Sequence, residues 1–137
     1  MTLLYNKYLP IIIQEYIKTD WDIRVLVCEG EVIAAMKRIV MSDDVRSNAS
    51  MGADTESLEL TELERTESIR IAEEFGGRVV GVDLIPAKDR ENELPYCLEI
   101  NANPGLNGIE EITKGSSPTK DILETYKDRS IWSVSTP

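Results

Sequence analysis

At 137 residues the chain has the length of one small domain or of a piece of a larger one, and its 42% hydrophobic content is enough to build a core, which excludes a disordered polymer. A formal net charge of -10, from 25 acidic and 15 basic residues, excludes nucleic-acid binding through a broad basic surface. There is no histidine, so Ser-His-Asp and Cys-His nucleophile systems and histidine zinc sites are excluded as well.

Residues 11–17 are rich in β-branched side chains and read as a buried strand. The early apolar run from Leu9 to Ile13 is too short to span a bilayer and passes straight into Gln14 and Glu15, so no membrane partner is expected. Residues 22–28 and 31–40 read as two strands joined by a tight turn at Glu29-Gly30. With no irregularity in that hairpin, Asp22, Arg24 and Leu26 share a face with Ile33, Ala35 and Lys37. Cys28 and Cys97 each sit in an apolar run, which reads as two buried, reduced thiols of a cytoplasmic protein.

From Met41 to Leu60 the chain is polar with little periodicity, and a connection of that length tends to be functional or disordered. Its most distinctive patch is Arg46-Ser47-Asn48. Thr61-Glu62-Leu63-Glu64 is a capping box that opens a helix to Phe75, with Ser68, Ile71, Ala72 and Phe75 on its inward face and Gly76-Gly77 ending it.

Residues 78–85 and 95–101 then read as a second hairpin, whose polar connection runs from Pro86 to Pro95. A turn centred near Arg90 or Glu91 sets Asp83 opposite Glu99, and Asn101, two residues on, points the same way as Glu99. Facing carboxylates repel unless a cation lies between them, and a small all-oxygen ligand set favours Mg²⁺. On residue pattern alone the three serve equally as solvated strand-end residues. The hairpin's other face carries Val80, Val82, Leu84, Leu98 and Ile100, set to pack on the helix. A short helical turn over 107–113 and a last helix from Ser117-Pro118 to about residue 128 complete the elements, and 131–137 reads as a tail. The fold class expected is α+β: an antiparallel sheet with helices packed on one face.

Six blocks in order carry a resemblance. They are Gln14-Glu15-Tyr16-Ile17, Asp22-Ile23-Arg24, residues 32–38 (Val-Ile-Ala-Ala-Met-Lys-Arg), Arg46-Ser47-Asn48, Gly81-Val82-Asp83-Leu84, and residues 99–110 (Glu-Ile-Asn-Ala-Asn-Pro-Gly-Leu-Asn-Gly-Ile-Glu). Together they resemble the C-terminal half of an ATP-grasp ligase, and within that superfamily the RimK-type branch of ribosomal-protein glutamate ligases and their relatives.

The resemblance implies ATP and Mg²⁺ as cofactors, with Mn²⁺ as a substitute. It implies a two-step ligation, in which a carboxylate is phosphorylated and an amine then displaces phosphate to give an amide. It places Glu15 and Tyr16 at the adenine, Asp22 near the ribose, Arg46, Ser47 and Asn48 beside the phosphates and acyl site, and Asp83, Glu99 and Asn101 on magnesium. Arg46 is the candidate catalytic residue. The partners implied are ATP and carboxylate and amine substrates, which could be an amino acid and a peptide or protein tail; a homo-oligomer is left open.

Residues 1–130 would be the C-terminal part of the grasp domain, with the substrate domain and first grasp subdomain absent, and such a fragment is expected to be inactive alone. The alternative is a non-catalytic nucleotide- or metal-binding module completed by a partner chain. Asn103, where the family pattern leads one to expect a smaller residue, and the long Pro86–Pro95 connection are the visible departures.

Overall fold

A computed structural model describes residues 13–39, 55–112 and 117–127. Five strands, β1 (Trp21–Cys28), β2 (Glu31–Ile39), β3 (Thr55–Ser57), β4 (Val79–Ile85) and β5 (Tyr96–Asn101), form one antiparallel sheet in the order β3-β2-β1-β4-β5. The helices are α1 (Glu62–Phe75), α2 (Asn107–Ile112) and α3 (Pro118–Lys127). Among the described residues no helix is long and apolar enough to cross a membrane.

The α+β class stands, but the helices divide between both faces of the sheet. On the first face Ile71 and Ala72 of α1 pack on Ile23, Val25, Val27, Val80, Val82 and Leu84. On the second, Ile109 of α2 is fully buried against Leu26, Ala34 and Met36, with Ile122 of α3 and Leu106 beside it. The cause lies in β1, where Val25, Leu26, Val27 and Cys28 are apolar in succession; a strand apolar on both sides needs two covers.

Glu29 and Gly30, with φ of 52° and 84°, turn β1 into β2. A bulge between Leu26 and Val27 then shifts the pairing by one residue. Asp22, Arg24 and Leu26 therefore face Arg38, Met36 and Ala34, not Lys37, Ala35 and Ile33 as an unbroken hairpin requires. Lys37 lies instead on the first face, its Nζ 5.3 Å from the centre of the Trp21 ring.

Helix α1 begins as expected: Thr61 Oγ1 accepts the Glu64 N–H and the Glu64 carboxylate accepts the Thr61 N–H. The same Glu64 carboxylate takes Nε and Nη2 of Arg90, both at 2.7 Å, and Arg90 also stands over Trp21. Through that arginine the Pro86–Pro95 connection is tied to α1. Phe75 and Ile100, expected inward, are 47% and 37% exposed. Both sit where the packed interface between α1 and the sheet runs out, Phe75 as the last residue of α1 and Ile100 on edge strand β5. Cys28 is buried as expected, whereas Cys97 is exposed because it lies on that same edge strand.

Residues 13–19 form no strand, contrary to the expectation for 11–17 over the part described, and Ile13 and Tyr16 are 93% and 73% exposed. β propensity is realised only where a neighbouring strand is available, and among the described residues none pairs with this segment.

Candidate functional site

On the second face, beyond the patch covered by α2, the sheet turns polar. β1 contributes Asp22 and Arg24, β2 contributes Arg38, β4 contributes Asp83, and β5 contributes Glu99 and Asn101. Asp83 is 3% exposed and lies opposite both Arg24 and Glu99. A bulge between Asp83 and Leu84 creates the second of these pairings; an unbroken ladder carried on from Leu84↔Cys97 would set Leu98 there.

In this structure two guanidiniums, Arg24 and Arg38, meet the Asp83 carboxylate. Arg24 donates to Asp83 in a fork, Nε to Oδ1 at 2.8 Å and Nη2 to Oδ2 at 2.6 Å. Arg38 donates Nη2 to the same Oδ2 at 2.9 Å, and forks onto Asp22 with Nε to Oδ1 at 2.6 Å and Nη2 to Oδ2 at 2.9 Å. Two carboxylates and two guanidiniums thus alternate across three strands with no net charge. Every buried side-chain polar atom among the described residues has a partner. Burial pushes the Asp22 carboxyl above its usual range, outweighing the hydrogen bonds and charge of Arg38. Burial alone would lower Arg38, but its hydrogen bond to Asp22 and the charges of both aspartates hold it above its usual value.

Glu99 is exposed, and Asn101 is half-buried with Oδ1 accepting the Asn103 N–H at 2.9 Å. Among the described residues no group of three or more His, Cys, Asp and Glu side chains could by itself hold a metal. The all-oxygen set of two carboxylates and an amide fits a hard ion whose shell is completed by phosphate and water. A carboxylate offers about four acceptor positions and an amide oxygen two. Asp83 spends three on arginine and keeps one on Oδ1, Asn101 keeps one, and Glu99 faces solvent.

The sequence-predicted residues therefore fall into three groups. Asp83, Glu99 and Asn101 come together. Asp22 lies on the same face but is 2% exposed, with both oxygens accepting from Arg38. Glu15 and Tyr16 lie exposed in the segment before β1, and Arg46, Ser47 and Asn48 lie outside the described residues. Sequence reasoning missed Arg38 as the partner of Asp22 and Arg24 as the partner of Asp83. Arg24 shares the alternation of Asp22 on β1, a legible signal, whereas Arg38 reaches that face only through the bulge.

A family model described as the RimK-like ATP-grasp domain matches residues 3–125. A probable alpha-L-glutamate ligase 2 of Shewanella baltica is 44% identical over 120 residues, covering 86% of this chain and 37% of that protein. A probable alpha-L-glutamate ligase of Chromohalobacter salexigens is 42% identical over 116 residues, covering 83% and 37%. The chain thus spans little more than a third of the length of these relatives. Among solved structures, the ATP-grasp ligase PsnB complexed with minimal precursor, Mg and ADP matches with a TM-score of 0.60 at 24% identity, over 80% of this chain and 34% of that one. That likeness bears on the fold alone.

Proposed function

The chain belongs to the RimK-like ATP-grasp family, a family of ligases, and on that footing we propose that it supplies the magnesium-binding part of an ATP-dependent carboxylate–amine ligase. The observation that carries this reading is the Asp83–Glu99 pair, set face to face by a bulge with Asn101 two residues on, beside a charge-balanced arginine network. In the proposed reaction a substrate carboxylate oxygen attacks the γ-phosphorus of ATP, and ADP leaves. The amine then attacks the acyl phosphate carbon, loses a proton and expels inorganic phosphate. Magnesium, when bound, neutralises charge on the transferring phosphoryl group.

The chain's own residues do the rest in this reading. Asp83, Glu99 and Asn101 hold the metal through their remaining lone pairs. Arg38 keeps Asp83 in place, and Asp22 acts through Arg38. Glu15 and Tyr16 border adenine, Ser47 and Asn48 line the phosphates, and Arg46 stabilises the charge of the forming acyl phosphate. The names of the relatives, alpha-L-glutamate ligases, make glutamate the first candidate substrate to try, and the setting that supplies ATP is the cytoplasm. Residues beyond this chain would complete the nucleotide's other side, and the 137 residues alone would then bind without turning over.

Calorimetric titration of ADP with and without Mg²⁺ tests the reading. Weak binding that needs Mg²⁺ and falls at least tenfold in Glu99→Gln is expected, in the range that ligand and outer-shell losses carry. Glu99 is exposed, so this variant leaves the core intact. Binding indifferent to both metal and Glu99 would rule out the metal assignment. Mg²⁺-dependent binding that yields no ligation with glutamate and peptide acceptors, even with the remaining segments of a relative supplied, would favour the non-catalytic module.

A further inference from the structure

After edge strand β5 the chain must cross the second face to bury Ile109 against Leu26, Ala34 and Met36. Residues 102–106 make that crossing, and they step over β4 at Gly81, the residue paired with Asn101. A Cβ on Gly81 would stand 2.9 Å from Pro104 Cβ, and 3.7 Å from both Pro104 Cγ and Asn101 Cβ. Among the described residues the glycines with positive φ are Gly30 and Gly76, and Gly81 is not one of them. It sits in ordinary strand conformation, so what glycine provides here is space for the crossing segment.

Resting on the ligase reading above, we propose that Gly81 and Pro104 form a positioning pair that sets the metal-facing oxygen of Asn101. Asn103 donates its N–H to Asn101 Oδ1, which orients the amide and leaves the second lone pair directed elsewhere. Pro104 fixes its own φ and restricts Asn103 before it, so the proline ring seated on β4 decides where the Asn103 N–H points. The far end of the crossing is pinned too: the Leu106 carbonyl accepts N–H groups of Ile109 and Glu110, at 3.1 and 2.9 Å. Asp83 and Glu99 are held by the strand ladder, whereas Asn101, the last residue of β5, takes its side-chain direction from the segment that follows. Magnesium demands near-ideal octahedral geometry, so a shift of a few tenths of an ångström in one ligand matters.

The test is a double-mutant cycle of Gly81→Ala and Pro104→Gly, read by ADP titration at graded Mg²⁺, with thermal melting to verify folding. Gly81→Ala should raise the Mg²⁺ concentration needed for half-maximal ADP affinity by about tenfold or more while leaving ADP affinity at saturating Mg²⁺ unchanged. In the Pro104→Gly background, where no Cβ blocks the added methyl group, the same substitution should have no further effect. A structural role alone would lower ADP affinity at saturating Mg²⁺ as well.

Equal Mg²⁺ dependence in Gly81→Ala and wild type would overturn the inference, as would additive effects in the cycle. If Gly81→Ala does not fold, Pro104→Gly alone decides. It frees Asn103 without adding an atom to β4, and an unchanged Mg²⁺ requirement there overturns the inference. Failure of the wild type to bind ADP with Mg²⁺ would mark failure of the ligase reading itself, and the inference falls with it.

Discussion

Removing Arg38 should be among the most damaging single changes available to this chain. The side chain carries three of the hydrogen bonds in the network, and Asp22 has no other partner for its carboxylate there. Breaking a buried pair from one side costs about 3–5 kcal/mol, because the remaining charge is left without water or a partner. Arg38→Ala should therefore lower the urea midpoint of unfolding by that equivalent. Asp22→Leu with Arg38→Met should recover most of the loss, since Asp83 keeps its fork from Arg24. A double variant as unstable as the single one would mean that shape at this position matters more than charge. The Asp83–Glu99 pairing was legible because a turn centred at Glu91 gives the same register at Asp83 that the bulge before Leu84 produces. The Asp22–Arg38 pair was not, because one extra residue at a bulge reverses which side chains of β2 face it. Spacing predicts contacts only as far as the first irregularity.

At the scale of elements, the N-terminus of α1 concentrates more stability than its length implies. Thr61→Ala removes one arm of the capping box and should cost about 1 kcal/mol. Glu64→Ala should cost more, about 2 to 3 kcal/mol, because this buried carboxylate also takes two of the three hydrogen bonds by which Arg90 ties down the Pro86–Pro95 connection. Chemical denaturation of the two variants gives the order, and equal losses would show that the Arg90 tie contributes nothing. The capping box and both hairpins were readable because they are local patterns of a few residues. Two errors at this scale share a different origin. The segment before β1 has strand composition but no described strand to pair with, and the helices were placed on one face although β1 is apolar on both. Both depend on what lies alongside an element, which its own residues do not state.

The molecule as a whole carries its charge unevenly: a neutral buried network beneath a surface that accounts for the net -10. The strand order that builds the network joins residues 59 apart, Arg24 and Asp83, and no short-range pattern announces such a pairing. Surface self-repulsion should be relieved by any salt, since screening contracts from about 30 Å at 0.01 M to about 8 Å at 0.15 M. Sodium chloride should then raise the melting temperature of wild type and Glu99→Gln alike. Magnesium chloride at the same ionic strength should add to that only where the ligand set is whole. ADP with Mg²⁺ at a hundred times its dissociation constant should contribute about 2.7 kcal/mol, or roughly 10 °C in melting temperature for a domain of this size. Glu99→Gln should show the sodium response and little of the magnesium one. If the two cations act alike at matched ionic strength in both proteins, the acidic face is a solvated surface, and its carboxylates do not gather a metal. A magnesium increment confined to the wild type would mean that the strand register, set by residues distant in the chain, has built a site that charge alone does not.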